Sequence, residues 1–543
     1  MSSPHSFRQT LSYFKDRRLL SIFCFGVASG FPWVMTGSAM SGWLTDAGLS
    51  RSSIGLFGLI FAAYSINFLW SPLVDRLKVP LLTRTIGQRR SWILATQLLI
   101  MLATLQLSQL DVVNQLSLMA FFGLIIAICG ATQDIAIDAY RIDLLQDKDS
   151  NYMAAGSAMA TSGWWTGFAG LGSIPFILVD QPDWQWSQVY LVLAAIMAVL
   201  MITALVVREP KSNREAVHNK IEQNYLQVLP YQGRQPLAIL LILPAIFATI
   251  IYANIGYPGW PEGYIDNNYR FWLISIFTLL LLLLFSQQLT RLNKVVSTQT
   301  IQNNLNARPA IAAGRIHRLT AWLLTTLVAP IQEFFNRNGT RLSIAILLFI
   351  FLFKLGEAYL GRMSIVFYRE VGFSNSDIAY YSKMINWSVT IIFSLIGSVF
   401  TIRYGILKGL FIGGAAMAAS NLLFSVMAIV GPDKALFAFT VFVDGFTSAW
   451  GSVAFVALLS VLCNHTFTAS QYALMASLGT FGRVMLGSYS GIIVDWLDGN
   501  WALFFVITAL MVIPSLLFLY SIRKPLTALI EKNQAENGAK PAE

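Results

Sequence analysis

Residues 46–54 read Asp-Ala-Gly-Leu-Ser-Arg-Ser-Ser-Ile, and residues 370–378 read Glu-Val-Gly-Phe-Ser-Asn-Ser-Asp-Ile. The two stretches share an acid, a glycine, two serines and a closing isoleucine at the same spacing, 324 positions apart. Each follows a long apolar segment. A second echo pairs Asn-Tyr at 151–152 with Gln-Tyr at 471–472, 320 positions apart. The chain therefore reads as two related halves.

The composition indicates a polytopic membrane protein. Of the 543 residues, 56% are hydrophobic and only 12% are charged, whereas a soluble domain carries about 25% charged residues. A helix needs about 20 apolar residues to span the hydrocarbon core of a bilayer. By that measure we expect fourteen spans. They cover residues 19–43, 54–74, 91–108, 116–140, 153–179, 188–207, 236–253, 271–289, 342–367, 378–400, 406–430, 435–462, 470–495 and 501–522.

Six spans in each half, joined by a basic central segment, give the major facilitator plan, an all-α fold whose substrate site lies near the bilayer midplane between the halves. Two further spans are inserted between the bundles, making fourteen. The expected organisation is a bundle at 1–207, a loop with the two inserted helices at 208–289, a cytoplasmic linker with an amphipathic helix at 290–341, a second bundle at 342–523 and a flexible cytoplasmic tail at 524–543.

The distribution of charge predicts the orientation. Arginine and lysine are concentrated at the N-terminus and in alternate loops, and only Arg51, Arg270, Arg369 and Lys434 fall on the other side. Cytoplasmic loops of membrane proteins carry this excess of basic residues. We therefore expect both termini in the cytoplasm. The net charge of +10 comes from these short loops, so nucleic acid is not an expected partner.

The sequence offers nothing for enzyme chemistry. Its three cysteines all lie in apolar segments, and its four histidines form no ligand cluster. We find no nucleophile–base pair and no phosphate-binding glycine loop. We therefore expect no metal, no cofactor and no catalytic residue.

Asp134, Asp138 and Arg141 are spaced so that they share one face of the fourth span. A charge at the centre of a spanning helix costs about 2.5–3.5 kcal/mol, and such residues are functional candidates. At the repeat offset of 320, Ala454 and Leu458 take the places of the two acids, so the helix does not need these acids to fold. We predict that Asp134 and Asp138 couple transport to protons. The alternative is that Asp138 is a structural partner of Arg141.

The second half also carries charges inside its spans. Lys354 and Glu357 are i, i+3 neighbours that can pair. Within this half the cations outnumber the acids, which favours an anionic substrate. The predicted substrate-binding residues are Gln133, Tyr140, Arg141, Lys354, Glu357, Arg362, Lys383, Trp387, Asp444, Trp450, Arg483 and Trp33. The predicted gating residues are Asp75, Arg76, Arg89 and Arg90.

Several of these residues also have simpler interpretations. Arg141, together with Asp143, can cap the cytoplasmic end of the fourth span. Lys383 can extend its amine to the outer surface. Aromatic side chains are common in membrane proteins as interfacial anchors.

Five stretches together resemble the AmpG muropeptide permease family. They are residues 133–139 (Gln-Asp-Ile-Ala-Ile-Asp-Ala), residues 70–76 (Trp-Ser-Pro-Leu-Val-Asp-Arg) before Arg89-Arg90, residues 452–459, residues 471–474 and the Gly-Arg pair at 482–483. The resemblance covers nearly the whole chain, fourteen spans included, although the linker at 290–341 is longer than in the shortest members.

The resemblance implies a monomer in the bacterial inner membrane that imports N-acetylglucosamine–anhydromuramyl peptides from periplasm to cytoplasm by proton symport. It also implies a role in cell-wall recycling and in β-lactamase induction, with the proton gradient as the energy source in place of a cofactor. Two alternatives stay open. One is carriage of another anionic solute, such as acetyl-CoA, a peptide or a siderophore-like molecule. The other is a membrane sensor or scaffold without transport.

Overall fold

The structure is a computed structural model. It describes residues 13–49, 57–112, 114–145, 150–210, 214–229, 314–374, 377–487 and 490–538, together with separate residues between 242 and 288. Over these residues the chain is helical. It divides into two compact units, residues 1–211 with 338–543, and residues 212–337. The first unit therefore contains both predicted bundles.

The first half begins with α1 and ends with α10. The helices in order are α1 Arg17–Gly30, α2 Ala39–Asp46, α3 Ala62–Ile66, α4 Ser71–Arg76, α5 Leu82–Ile86, α6 Gln88–Leu107, α7 Leu116–Leu144, α8 Ser150–Trp165, α9 Ile174–Val179 and α10 Trp186–Val206.

The second half begins after the other unit. Its helices are α14 Thr340–Phe353, α15 Leu355–Val371, α16 Asn386–Tyr404, α17 Ile406–Val430, α18 Lys434–Leu462, α19 Thr468–Gly487, α20 Ser490–Trp496, α21 Trp501–Leu510 and α22 Val512–Gly538.

Nine helices among the described residues are long and apolar enough to cross a membrane, and they correspond to nine of the predicted spans. The predicted spans at 54–74, 153–179 and 470–495 are each covered by consecutive shorter helices. The seventh and eighth spans, at 236–253 and 271–289, lie almost wholly outside the described residues. The six-plus-six arrangement is thus present, while the full count of fourteen stays a prediction.

Glycines allow α1 and α8 to pack with their backbones in contact. A β-carbon on Gly30 would collide with the carbonyl oxygen of Trp164, and one on Gly163 would collide with that of Phe23. Gly26 and Gly167 face backbone in the same way. Small residues at four-residue spacing let membrane helices approach this closely.

Three spans are interrupted by π-helical turns, at Val34–Ser38, Thr166–Gly170 and Ile378–Ile385. A π-turn inserts one residue into the helical ladder and changes the direction of the side chains that follow, and such turns are frequent at functional sites. Span nine is interrupted differently. Lys354 separates α14 from α15 with φ −94° and ψ 10°.

The C-terminal segment differs from the expected flexible tail at 524–543. Helix α22 continues to Gly538 and includes Pro525. The reason is a stripe of apolar residues at helical spacing. Leu526, Leu529 and Ile530 are buried, and their burial stabilises these helical turns. The polarity of the segment alone predicts a solvated tail.

The unit at 212–337 contains α11 Arg214–Val228, α12 Arg315–Leu323 and all but the last residue of α13 Ala329–Asn338, and a π-turn joins α12 to α13. Tyr225 and Leu229 pack on Ala321, Leu324 and Val328. A helical segment therefore lies where the amphipathic linker helix was predicted. Residues 290–313 of the predicted linker are outside the described residues.

Candidate functional site

Arg89, at the start of α6, joins two carboxylates of the first half. Its Nη2 donates to Asp75 Oδ1 at 2.8 Å, and its Nε donates to Asp143 Oδ2 at 3.0 Å. All three side chains are buried. Buried charges are tolerated when they are paired and hydrogen-bonded. The guanidinium carries one positive charge and the two carboxylates carry two negative charges. One negative charge therefore remains to be stabilised by other hydrogen-bond donors.

Those donors come from the second half. Asp75 accepts hydrogen bonds from the backbone N–H groups of Ala469 and Ser470, at 3.2 and 2.8 Å, and from the Ser470 hydroxyl. Asp143 Oδ1 accepts from Thr468 Oγ1 at 2.7 Å. The first N–H groups of a helix lack partners within it, and they favour a nearby anion. The acids of the first half thus cap α19 of the second half. We call these contacts the gate contacts.

Arg141 makes a second link between the halves. It pairs with Asp138 at 2.9 Å and donates to Ser460 Oγ at 2.9 Å. Its guanidinium also lies over the ring of Tyr472, 5.3 Å from the centroid. The Arg141 side chain is 1% exposed, whereas that of Asp138 is 31% exposed. Asp138 is therefore partly exposed, while its partner is buried and held by the other half.

Asp134 lies one turn before Asp138 on α7 and is bound differently. Ser29 Oγ donates to its Oδ1 at 2.6 Å. Across the described parts of the chain, Asp134 takes part in no ion pair. A carboxyl without a neighbouring cation exchanges a proton without first breaking an ion pair.

The second half has its own polar cluster around the break in span nine. Lys354 Nζ contacts Glu357 and donates to Ser452 Oγ at 2.7 Å, and Ser448 Oγ donates to Glu357 Oε1 at 3.0 Å. Lys354 and Glu357 are predominantly buried, with 13% and 26% of their side chains exposed. Two hydroxyls of α18 thus form hydrogen bonds with this ion pair, one with each of its members.

Two further charges lie within electrostatic range of this pair. Arg483 interacts with Glu357, and Asp444 interacts with both Glu357 and Lys354. Asp444 also accepts from Ser420 Oγ at 3.3 Å, and the Arg483 side chain is exposed. We call these four residues, Lys354, Glu357, Asp444 and Arg483, the charge cluster. It holds two cations and two acids, so the predicted excess of cations rests on Arg362 and Lys383, whose side chains lie outside the described residues.

Aromatic side chains gather in the first half. Trp33 stacks on Phe61 with centroids 4.7 Å apart and lies 4.4 Å from Tyr64. Trp164 contacts Trp33 at 6.0 Å and stacks on Phe168 at 5.0 Å. We call these five residues the aromatic cluster. All but Tyr64 are only partly buried, so their rings keep accessible faces.

Four other predicted binding residues make contacts with neighbouring parts of the protein. Gln133 donates to the Ala28 carbonyl at 2.7 Å and Tyr140 to the Arg208 carbonyl at 2.8 Å, both inside the first half. Trp450 packs on Phe400 and Phe446. Trp387 lies against Gly170 of the first half.

The predicted gating arginines separate into two roles. Arg89 pairs with the two acids that make the gate contacts, whereas Arg90 donates to the carbonyls of Ala204 and Leu205 at the end of α10. Glu209 accepts from the backbone N–H groups of both arginines. Arg76 ends α4, beside Asp75.

Sequence reasoning did not identify the hydroxyl partners. They are Ser29, Ser448, Ser452, Ser460, Thr468 and Ser470. Hydroxyl side chains in membrane helices usually bond to their own backbone, so their presence in a span is not by itself a signal.

Comparison with known proteins places this arrangement among transporters. A family model described as acetyl-coenzyme A transporter 1 matches residues 29–183. The anhydromuropeptide permease of Escherichia coli (strain K12) is 28% identical over 521 residues, covering 95% of this chain and 82% of the permease. The Rickettsia conorii protein named AmpG 4 is 26% identical, covering 93% of this chain and 96% of that protein.

Two solved structures share the fold. The major facilitator proton:xylose symporter XylE, bound to 6-bromo-6-deoxy-D-glucose, aligns with a TM-score of 0.56 at 13% identity, covering 93% of this chain and 94% of the symporter. The human organic anion transporter TETRAN aligns with a TM-score of 0.51 at 13% identity, covering 92% and 98%. The chain is therefore a multi-pass membrane transporter of the major facilitator fold, related over nearly its whole length to the AmpG permeases.

Proposed function

We propose that the protein imports anhydromuropeptides, which are anionic sugar–peptides, by alternating access between its two halves. The observation that carries this proposal is the pair of links between the halves, the gate contacts and the Arg141 link. Across the halves these links are hydrogen bonds and one cation–ring contact, which can break and re-form, made by residues that also form ion pairs within the first half. The substrate class is supported by the relatives named as anhydromuropeptide permeases.

In this proposal the gate contacts close the cytoplasmic end. The orientation is supported by the basic residues in the loops at that end, such as Lys78 and Arg84. Breaking the contacts of Asp75 and Asp143 with α19 would open the central space to the cytoplasm. The protein would work as a monomer in the inner membrane with both termini in the cytoplasm, and the released product would feed cell-wall recycling and β-lactamase induction.

The energy source we propose is the proton gradient, with no other cofactor. Asp134 and Asp138 support this proposal because they lie one turn apart and differ in their surroundings. Asp138 is partly exposed and paired with Arg141. Its protonation would remove the charge that holds Arg141, and Arg141 is bonded to the second half. Loading a proton there would therefore weaken a link between the halves.

The test is uptake of labelled N-acetylglucosamine–anhydromuramyl peptide into proteoliposomes under an imposed pH gradient, acidic outside. We expect accumulation that a protonophore abolishes. Asp134→Asn and Asp138→Asn should each lose accumulation while the protein still inserts. Absence of uptake by the unaltered protein would overturn the proposed cargo, and accumulation unaffected by protonophore would overturn the coupling.

Acetyl-CoA is a second candidate cargo, favoured by the family model that matches residues 29–183. Competition separates the candidates. An excess of unlabelled anhydromuropeptide should suppress uptake of the labelled compound, whereas acetyl-CoA, a simple peptide or a siderophore should not. A sensor or scaffold would show uptake of none of them.

A further inference from the structure

We propose that the two halves divide the substrate between them. The aromatic cluster of the first half binds the sugar rings, and the charge cluster of the second half binds the peptide through its ammonium and carboxylate groups. This inference rests on the proposed function for the nature of the cargo, and it assigns each chemical part of that cargo to one half.

Repeat-related positions carry opposite chemistry in the two halves. Trp33 and Glu357 are 324 positions apart, the same offset that relates residues 46–54 to 370–378. Gly30 and Lys354 are related by the same offset. Where the first half places a glycine and an indole ring, the second half places an ion pair. Equivalent positions of the two halves therefore carry an aromatic ring in the first half and charges in the second.

The aromatic cluster suits a sugar. Aromatic rings have flat apolar faces with polar edges, and a pyranose ring has an apolar face of C–H groups that packs on such a surface. Trp33 immediately precedes the π-turn at Val34–Ser38, and Phe168 lies within the π-turn at Thr166–Gly170. These two interruptions set the directions of the rings from two different spans. The rings themselves carry no charge, and the apolar faces of sugar rings match their flat surfaces.

The charge cluster suits a zwitterionic group more than a simple anion. Lys354 and Arg483 can bind a carboxylate, and Glu357 and Asp444 can bind an ammonium. A peptide stem has a terminal carboxylate, and it has an ammonium wherever it contains a diamino acid with a free amine. Lys354 lies at an interruption of its span, and interrupted membrane helices form the substrate sites of many transporters. The ion pair would open to exchange its internal partners for those of the ligand.

Counterflow in proteoliposomes tests the division, because exchange at equal pH does not depend on proton coupling. The probes are the labelled N-acetylglucosamine–anhydromuramic acid disaccharide without peptide, the same disaccharide with a diamino-acid peptide, and the peptide form with its free amine acetylated. We expect Glu357→Gln to raise the KM for the free-amine peptide form at least tenfold while changing the KM for the other two less than twofold. Trp33→Leu should raise the KM for all three.

Two further variants serve as controls. Glu531→Gln, the same change at an exposed residue near the C-terminus, should leave all three KM values unchanged. The exchange variant Lys354→Glu/Glu357→Lys keeps an ion pair, so if Glu357→Gln fails to fold, this variant should still transport the peptide-free disaccharide and lose the free-amine form. An equal effect of Glu357→Gln on all probes, or no effect on any, would overturn the division. If the unaltered protein transports none of the three probes, both the proposed function and the proposed division of the substrate are wrong.

Discussion

Asp46 and Glu370 occupy equivalent places in the two halves, because each carboxylate accepts a hydrogen bond from the indole N–H of a tryptophan that begins the sixth span of its half. Trp186 donates to Asp46 Oδ2 at 2.7 Å, and Trp501 donates to Glu370 Oε2 at 2.7 Å. The two acids are 324 positions apart. The sequence repeat is therefore also a repeat of contacts, with the first and sixth spans of each half joined at the same end.

The first prediction concerns these two bonds. Both indoles are buried, with 6% and 8% of the residue exposed, and a buried indole N–H needs an acceptor. Trp186→Phe and Trp501→Phe keep an aromatic ring and remove the donor. Each should lower the free energy of unfolding by about 1–2 kcal/mol, near the low end for hydrogen bonds to charged groups, measured by denaturation in detergent. Trp496→Phe, at an indole that is 77% exposed, should change nothing. Equal stabilities of all three variants would contradict a stabilising role for these two hydrogen bonds.

The second prediction concerns the gate contacts. Asp75→Asn removes the negative charge that binds Arg89 and caps α19, so the end of the protein that the gate contacts close should open more often. Cys463 is buried, and it lies near Arg141 and Tyr472, which makes it a reporter once the other two cysteines are replaced by alanine. Maleimide should label it several-fold faster in Asp75→Asn.

The control for that measurement is Asp183→Asn, which makes the same change at an exposed loop residue. Labelling there should match the unaltered protein. Ser470→Ala should give an intermediate rate, because it removes one of the donors to Asp75 and leaves the backbone N–H groups in place. If Asp75→Asn labels no faster than Asp183→Asn, the contacts do not hold this end closed.

The third prediction separates the charge of Asp134 from its hydrogen bond. In Asp134→Asn the amide oxygen can still accept from Ser29, so the contact is retained and only the titratable group is lost. We expect loss of accumulation driven by a pH gradient, with counterflow retained. In Ser29→Ala the carboxyl remains, and accumulation should persist. Normal accumulation in Asp134→Asn would assign the proton to another group.

Helix geometry explains which site residues the sequence could predict. The i, i+4 spacing of Asp134 and Asp138, with Arg141 three residues on, predicted one shared face, and the Asp138–Arg141 pair confirms it at 2.9 Å. Gln133 and Tyr140 belong to the same motif, but they are seven residues apart and lie on another face, where both bond to carbonyls of the first half. A motif lists such neighbours together although the helix points them in different directions.

Contacts between distant segments were beyond sequence reasoning. The Asp75–Ser470 bond joins residues that are 395 positions apart. Its donors are backbone N–H groups and a hydroxyl, which leave no charge pattern in the sequence. The two-bundle fold was predictable, because a repeat of residues at fixed offsets survives in the chain. The pairing of its surfaces depends on three-dimensional packing.

The fourth prediction tests the close approach of α1 and α8. Gly30→Ala places a β-carbon against the Trp164 carbonyl, where no side chain can move aside. Backbone must shift, and overpacking of this kind costs about 1–3 kcal/mol. The same backbones carry Trp33 and Trp164, so the shift should also displace the aromatic cluster and raise the KM for every sugar-bearing probe. Gly361→Ala is the matched control, because a β-carbon there meets nothing within 4 Å, and alanine is the better helix former by about 1 kcal/mol. Gly361→Ala should therefore be neutral or stabilising in the same unfolding assay, whereas a Gly30→Ala protein as stable as this control would show that the two helices are not in backbone contact.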